Sequence, residues 1–509
     1  MRRITVMLAA ALTTLAITAP VRAEDAPVFR RAAEETFILH GAGWGHGIGM
    51  SQYGAYGLAL EGWSAERIVR YYYTGVEVER RDPPARLVRV GLLQSRSRVT
   101  VIVEGGSPRV RAAGETIETL AEGDVRGVTM KDGRYRLETG EGAAVGEPIS
   151  GRLQVRGGVI RIEEWGHVLG RGRLELPAAG GNAFHVVAAL DPEQYLFGLG
   201  EVPSSWPQAA LRAQAIAART YAFRRIEDGG RTGCGCAIYA DTRDQAYVGW
   251  EKETGTDGDR WVDAVRASEG LVATYEGALI ATLYSSSSGG FTENVENVWG
   301  GEAYPYLKGK CDPGDFVAAN PNRTWTVTIE ADELAARLRT AFGWDLGEVR
   351  ELDVGRRGVS GRPVRITVRG TSSAGGGFSR AVSGWDLRSA LGLKDTRFSV
   401  GTDQNVTGAI RAAYDDLRCR PGLASGPQRT AAGGRWQAFQ HGRMYARGDA
   451  AVWLDGPVLA AYLGAGGPEG PLGYPLSPVT EAEDGSTEAA FEGGVVRCDP
   501  GGDCTVAAS

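Results

Sequence analysis

The chain has 509 residues, 74 of them glycine, so glycine occurs at roughly twice its usual share of about 7%. Apolar residues make up 43% and charged residues 23%, values that exclude a disordered or fibrous chain. The formal net charge of −6 argues against the clustered basic surface that nucleic-acid binding needs. The length predicts about two to four domains.

The N-terminus has the pattern of a secretory signal. Two early arginines precede an apolar stretch over residues 4–17, and residues 21–23 supply small side chains at the cleavage positions. We expect cleavage after Ala23, which makes 1–23 a signal peptide and 24–36 a short leader. An uncleaved membrane anchor is the alternative, although the apolar stretch is short for a span.

The chain has six cysteines, and an even number in an exported protein favours disulfides. Cys498 and Cys504 would face each other across a C-terminal hairpin, so we expect them to pair. A bridge within Cys234-Gly-Cys236 would be strained, so we expect one of these two to reach one of the remaining cysteines, Cys311 or Cys419.

The first part of the chain is predicted to form helices followed by strands. A glycine-rich segment over 40–55 leads into two short helices, at 55–60 and 65–73. Residues 86–187 then show short alternating apolar runs broken by glycine, a pattern typical of several β-strands.

The clearest helix is predicted over 206–226, where an apolar, alanine-rich stripe recurs at helical spacing. Further helices are expected near 260–268, 331–342 and 384–391, with a hairpin turning at Glu276-Gly277. The pattern predicts an α+β fold with an antiparallel-sheet-rich core domain and several helices.

The C-terminal part differs from the rest. Residues 401–433 contain loosely ordered Gly, Pro, Ala and Thr and resemble a linker, although 410–417 could form a helical turn or two. The motif at 438–442 recurs at 490–494, so residues 434–509 are predicted to form a small β-rich repeat module.

Glu201 is the residue best suited to acid–base chemistry. It lies just before the 206–226 helix, among the aromatic residues Tyr195, Phe197 and Trp206. Partial desolvation would raise the pKa of the carboxyl and suit it to act as a general acid at a glycosidic bond, whereas the nearby helix N-terminus would favour the anion. The alternative is that Glu201 merely caps the helix.

Four stretches resemble one family. Residues 195–222 resemble the signature of the stage II sporulation protein D, or amidase-enhancer (SpoIID/LytB), family. Residues 284–307 resemble its serine-Gly-Gly and Trp-Gly-Gly segments, 43–55 its Gly-His-Gly block, and 384–398 its late helix and strand. The resemblance covers 37–400, with the Gly-His-Gly block placed first, as in a circular permutation.

The resemblance implies a secreted, cell-wall-associated lytic transglycosylase. The sporulation members of this family cut peptidoglycan between N-acetylmuramic acid and N-acetylglucosamine and leave 1,6-anhydro ends. They use one glutamate, which corresponds to Glu201 here. A hydrolase would need a second carboxylate, for which Glu293, Glu296 or Asp241 could serve. The alternative is a non-catalytic protein that binds glycan strands and enhances a cell-wall amidase.

Some members of the family bind zinc through His and Cys near the serine segment. Residues 284–290 contain neither, so we expect no metal or cofactor. We also expect no nucleic-acid partner, and no membrane span after signal cleavage.

The resemblance also suggests residues that bind substrate. His46 and Gln52 would line the glycan cleft, or else belong to a packed turn. Ser286, Ser287 and Ser288 would hydrogen-bond to glycan, or else form an ordinary polar loop. Two further candidates could orient Glu201 or could face solvent or core: Arg219 and Tyr221.

Residues 434–509 resemble the short repeats named for Leu-Gly-Phe-Pro, present here as Leu472-Gly-Tyr-Pro475. Such repeats are associated with attachment to the cell envelope, so the resemblance implies a tethering module.

Overall fold

The computed structural model describes residues 36–401 and 405–508. The predicted signal peptide and nearly all of the predicted leader lie outside these residues. The fold is α+β with mainly antiparallel sheets, as predicted.

The helices around Glu201 form the centre of the molecule. Gln208–Glu227 is buried on almost every side, and the alanines of its predicted stripe are 0% exposed. The other helices packed in this region are Gln52–Leu60, Ala65–Tyr72, Pro192–Phe197, Glu251–Thr254, Gly258–Ala267 and Val295–Val298.

Short strands complete this central region. Glu77–Arg80, Leu271–Tyr275 and Ala278–Leu279 form one antiparallel sheet, which contains the predicted hairpin. Met50–Ser51 pairs in parallel with Tyr284–Ser285. This parallel pair joins the N-terminal glycine-rich segment to the serine segment, as the permuted order requires.

Residues 88–190, together with the later strand Ile238–Tyr239, form two sheets over a shared apolar core. The strands of the first are Val88–Arg96, Arg109–Ala112, Glu115–Thr119, Leu153–Arg156, Arg173–Leu176, Ala178–Gly180, Ala183–Leu190 and Ile238–Tyr239. The strands of the second are Arg98–Gly105, Val125–Lys131, Arg134–Thr139, Ala144–Ile149, Val159–Ile162 and His167–Leu169.

A third region closes the core domain. Thr36–Gly41 is the middle strand of a sheet between Trp325–Glu330 and Phe398–Val400. The strands Glu348–Arg357, Pro363–Thr371 and Gly377–Ser383 form a separate sheet, and two helices pack beside it: Ala331–Phe342 and Gly384–Leu391.

The C-terminal part contains two four-stranded sheets of the same strand order, separated by the helix Gly456–Gly464. The first has Arg429–Ala431, Gly434–Phe439, Gly442–Arg447 and Ala450–Asp455. The second has Thr480–Glu481, Thr487–Phe491, Gly494–Cys498 and Cys504–Ala508.

The predicted linker 401–433 differs from the structure. It contains the helix Gly408–Leu417, and its end supplies the first strand of the first repeat sheet. Ala424 forms an isolated β-bridge with Phe439, and Pro475 forms the equivalent bridge with Phe491 in the second repeat. The first repeat therefore begins before residue 434. The segment resembles a linker in sequence because it lacks the Leu-Gly-Tyr-Pro motif of the second repeat.

The predicted Cys498–Cys504 pair is present. The expected pairing of the other four was wrong, because Cys234 bonds to Cys236 and Cys311 bonds to Cys419. The residue between the first pair is Gly235, whose φ of +60° is easily adopted without a side chain and turns the two cysteines toward each other.

Candidate active site

Glu201 lies in the short loop before the helix Gln208–Glu227 and is partly exposed. Its Oε1 accepts hydrogen bonds from the Ala246 backbone N–H at 2.6 Å and from the Tyr284 hydroxyl at 3.1 Å. Gln52 Nε2 donates to Oε2 at 3.4 Å. The carboxyl is therefore fixed by three segments that are far apart in the sequence.

Burial raises the pKa of the Glu201 carboxyl. The hydrogen bonds from Ala246, Tyr284 and Gln52 and the positive charge of Lys252 act in the opposite direction, but desolvation has the larger effect. The carboxyl thus binds a proton more readily than a solvated glutamate does, which suits it to general acid catalysis.

The donors to Glu201 are held in place by a chain of amides and hydroxyls. Tyr195 donates to Gln245 Oε1, and Gln245 Nε2 donates to the Tyr284 hydroxyl, both at 2.8 Å. Burial raises the pKa of Tyr284, so its hydroxyl stays neutral and can donate to the carboxylate. Gln245 also precedes Ala246, the other residue that donates to Oε1.

Lys252 adds a cation beside the carboxyl. Burial lowers the pKa of its ammonium to about 8, against the opposing attraction of Glu201. The ammonium donates to the Val202 carbonyl at 2.6 Å, directly after Glu201 in the chain.

The glycine-rich segment brings Gln52 and His46 to the neighbourhood of this carboxyl. Gln52 begins the helix Gln52–Leu60 and also donates to Gln214 Oε1 at 3.4 Å. His46 Nδ1 accepts from the Ile48 N–H at 3.0 Å, and the ring also hydrogen-bonds to the Tyr284 backbone. Gln52 thus contacts Glu201 directly, whereas His46 is connected to it through Tyr284.

The structure separates the three predicted serines. Ser286 is partly exposed, and its carbonyl accepts from the Tyr53 N–H at 3.0 Å. Ser287 and Ser288 are fully buried and donate to Asp315 and Asp312, at 2.9 and 2.7 Å. Their hydroxyls are directed into the protein, so of the three only Ser286 has access to solvent.

The structure does not bring Arg219 and Tyr221 to Glu201. Arg219 is 0% exposed and is held by Glu193, with N–O distances of 2.7 and 2.9 Å. The Tyr221 hydroxyl donates to Asp244, two positions before Ala246. Both residues lie on the signature helix, where spacing alone could not tell which side faces Glu201.

Tyr284, Gln245, Ala246 and Lys252 were missed by the sequence analysis. Tyr284 directly precedes the serine segment, and this position within the family motif was the only signal for it. The segment 244–246 has no pattern that connects it to Glu201, because its role depends on a backbone N–H.

Comparison with known proteins is consistent with this site. Residues 180–275, which include Glu201, match the family model described as stage II sporulation protein. A Bacillus subtilis protein named amidase enhancer is 37% identical over 134 residues, covering 26% of this chain and 16% of that protein. Stage II sporulation protein D of the same organism is 28% identical over 223 residues, covering 40% and 59%.

An uncharacterised protein of Brachyspira hyodysenteriae is 36% identical over 151 residues, covering 29% of this chain and 39% of that protein. The chain therefore spans less than two thirds of the length of each of these relatives. The predicted family resemblance is confirmed, and the resemblance of the C-terminal part to Leu-Gly-Phe-Pro repeats stays a prediction.

Proposed function

We propose that this protein belongs to the stage II sporulation protein family and is an exported peptidoglycan lytic transglycosylase with Glu201 as its acid and base. The observation that carries the proposal is the Glu201 carboxyl itself, which is partly exposed, has a raised pKa and is held by Ala246, Tyr284 and Gln52. A carboxyl of this kind binds a proton more readily than a solvated glutamate does, and its partial exposure lets it reach a substrate.

The reaction needs one carboxyl in two roles. Glu201 first donates its proton to the oxygen that links N-acetylmuramic acid to N-acetylglucosamine, and the bond from that oxygen to C1 breaks. The resulting carboxylate then takes the proton of the muramic C6 hydroxyl as O6 bonds to C1, which closes a 1,6-anhydro ring. Glu201 is protonated again at the end, and no water is consumed.

The neighbouring groups support both roles. The Ala246 N–H, the Tyr284 hydroxyl and Lys252 stabilise the carboxylate that exists between the two proton transfers. Desolvation favours the protonated form at the start. Desolvation and the hydrogen bonds therefore act on opposite protonation states of Glu201.

Two of the predicted second carboxylates are engaged in other contacts. Glu293 is fully buried, and its oxygens accept from Asn294, Asn297, Val359 and Ser360. Asp241 is paired with Arg243. A single-carboxyl mechanism therefore agrees better with the contacts of these residues than hydrolysis does.

Three disulfides among the described residues are consistent with export to an oxidising compartment. No helix within the described ranges has the length and apolarity needed to cross a membrane. We place the protein in the cell wall, with glycan strands as its partner.

A second candidate function is enhancement of a cell-wall amidase without catalysis. The name of the Bacillus subtilis relative, amidase enhancer, favours it. Such a protein would use the same cleft to bind glycan, and Glu201 would then serve as a hydrogen-bond acceptor.

The deciding experiment is digestion of purified sacculi, intact and stripped of stem peptides, by the wild type and Glu201→Gln. The glutamine can keep the hydrogen bonds from Ala246 and Tyr284, so we expect it to fold. It should lower the rate by at least roughly 100-fold, because it has no proton to donate. Mass spectrometry of the released muropeptides measures the 1,6-anhydro ends.

Equal melting temperatures of the two proteins serve as the folding control. Absence of 1,6-anhydro products from the wild type on both substrates would contradict catalysis, and reducing ends would indicate hydrolysis. Stimulation of an amidase by both the wild type and Glu201→Gln, without anhydro products, would support the enhancer function instead.

A further inference from the structure

A group of exposed aromatic side chains lies beside the segment that carries Tyr284. Trp44 is 51% exposed and Trp299 is 44% exposed, although both are large apolar residues. Trp385 is half-buried next to them. Together with His46, Arg388 and Lys394, these three tryptophans are called the tryptophan surface below.

The rings and cations of this surface contact one another. The His46 and Trp299 ring centroids are 5.2 Å apart, and those of Trp299 and Trp385 are 5.7 Å apart, both edge to face. Arg388 lies 4.8 Å from the Trp385 ring centroid, and Lys394 lies 5.5 Å from that of Trp44. Aromatic faces thus alternate with hydrogen-bond donors.

Backbone contacts fix the surface from below. The Gly45 N–H and the Arg388 guanidinium both donate to the Lys394 carbonyl, at 2.9 Å and at 3.1–3.3 Å. Trp44 exchanges two backbone hydrogen bonds with Ser287, at 2.9 and 3.2 Å. These bonds join the segment of Trp44 to the serine segment and to the segment that follows Trp385.

Tyr284 connects this surface to the carboxyl. Its backbone hydrogen-bonds to the His46 ring, and its hydroxyl donates to Glu201. The tryptophan surface and the Glu201 carboxyl therefore contact the same tyrosine, and a ligand that occupies both must be extended. Burial lowers the pKa of His46 to about 3, so the imidazole stays neutral and the cations of the surface are Arg388 and Lys394.

The chemistry of the surface suits a sugar chain. A pyranose ring presents an apolar C–H face that packs on an aromatic ring, and its hydroxyl and amide oxygens accept hydrogen bonds from Arg and Lys. Tryptophan and arginine are also enriched at protein–protein interfaces, so the test below includes a protein partner as a separate outcome.

We propose that the tryptophan surface is a glycan-binding subsite that holds a β-1,4-linked N-acetylhexosamine chain next to Glu201. This inference rests on the proposed glycan substrate. It assigns binding to Trp44, Trp299 and Trp385, whereas the chemistry is assigned to Glu201.

The test measures binding of chitohexaose by calorimetry in the full-length Glu201→Gln protein, so that no turnover occurs. Adding Trp299→Ala should weaken binding by roughly tenfold, since it removes the ring at the centre of the surface. Trp44→Ala should weaken it by a smaller factor, because this ring lies at the edge. Trp344→Ala is the matched control, since this half-buried tryptophan packs on Phe342 and Phe378 away from the surface.

Equal affinity of the Trp299→Ala, Trp344→Ala and parent proteins would overturn the proposal, as would failure of the parent protein to bind chitohexaose. Normal chitohexaose binding by Trp299→Ala with lost stimulation of an amidase would also overturn it, and would make the surface a protein-docking site. If the wild type forms no anhydro products but Trp299→Ala still weakens binding, the proposed catalysis fails and the subsite stands. Far-ultraviolet circular dichroism and melting temperature confirm folding of each variant.

Discussion

At the scale of single residues, the pKa of the Glu201 carboxyl is set by burial together with groups that are distant in the chain. The aromatic neighbours in the chain correctly suggested desolvation, and the nearby helix N-terminus suggested the opposite effect. The balance could not be decided from the sequence, because the groups that enclose Glu201 include Ala246 and Tyr284, which are 45 and 83 positions away. Only the folded chain brings them to the carboxyl.

Lys252 should set the pH range of activity. Its positive charge lowers the pKa of Glu201, so Lys252→Met should raise that pKa further. The proposed first step needs protonated Glu201. The pH above which the rate falls, called the alkaline limb below, should therefore rise by roughly one pH unit. The rate of anhydro-product release from pH 5 to 9 measures it.

Lys252→Arg is the matched control, because it keeps the charge and should leave the limb in place. An alkaline limb that is the same in the methionine variant and the wild type would contradict this role for Lys252.

At the scale of elements, the glycine-rich segment explains part of the glycine excess. Alternate residues have positive φ values of +89°, +127°, +68° and +68° at Gly43, Gly45, Gly47 and Gly49. A side chain would also overlap neighbouring groups, such as Ser285 at Gly45 and the Arg362 guanidinium at Gly47. The segment can pack against the serine segment and Arg362 only because these positions lack a Cβ.

Gly47→Ala should therefore destabilise the protein by at least about 3 kcal/mol, through backbone strain together with displacement of buried Arg362. Gly62→Ala is the matched control, since its φ is +82° and a Cβ there would meet open space. It should cost only about 1 kcal/mol. Urea denaturation measures both, and equal losses would contradict the packing argument.

The glycine-rich segment is also joined to the serine segment by a buried acid pair. Asp312 accepts from Tyr72 at 2.6 Å and from Ser288 at 2.7 Å, and Asp315 accepts from Ser51 and Ser287, both at 2.9 Å. This network explains why two of the predicted cleft serines point inward. No sequence pattern predicts this network, because the acids lie 24 and 28 residues beyond the serines.

The pair should make stability depend on pH. Burial and Asp315 raise the pKa of Asp312 to about 7, whereas an unfolded aspartate titrates near about 4. Since the folded state binds this proton more tightly, the stabilisation is fully present below about pH 4 and is lost as pH rises through about 7.

The melting temperature of the Asp312→Asn protein should decrease less between pH 4 and 8 than that of the wild type. Thermal unfolding at several pH values measures this difference. Surface Asp332→Asn serves as the control and should follow the wild type. A fall in the Asp312→Asn protein as steep as that of the wild type would contradict the assignment.

At the scale of the whole molecule, the regular elements were predicted well and their arrangement was not. The helices 331–342 and 384–391 have the predicted bounds, because periodicity and turn residues act locally. The packing of residues 401–433 could not be predicted from sequence. Their helix, Gly408–Leu417, is held by contacts of Tyr414 with Phe316 and Phe439, which are distant or outside the helix pattern.

The disulfide between Cys311 and Cys419 should contribute more stability than the one between Cys498 and Cys504. The sequence separations are 108 and 6 residues. By chain entropy, a loop of about 100 residues gives about 5 kcal/mol, and a very short loop gives less than about 3 kcal/mol. Denaturation of the two double-serine variants measures the difference, and a larger loss from the shorter loop would contradict it.

The C-terminal repeats are proposed to tether the protein to the wall. A chain ending at residue 418, with Cys311→Ser to avoid a free thiol, should be retained less on sacculi. The full-length chain with Cys311→Ser and Cys419→Ser is the control, because it lacks the disulfide but keeps the repeats. Sedimentation with sacculi measures retention, and equal retention of the two would contradict a tether.

The strand Thr36–Gly41 has a consequence for the order in which the chain folds. Its His40 contacts Thr326 and Ser399, which follow it by 286 and 359 positions. The first described strand can therefore complete its sheet only after nearly all of the core domain has emerged. Closing so long a loop is slow relative to local folding. The glycine-rich segment that follows this strand carries Gln52 to Glu201, so the candidate site should be assembled last, and a chain interrupted during synthesis would lack the complete site.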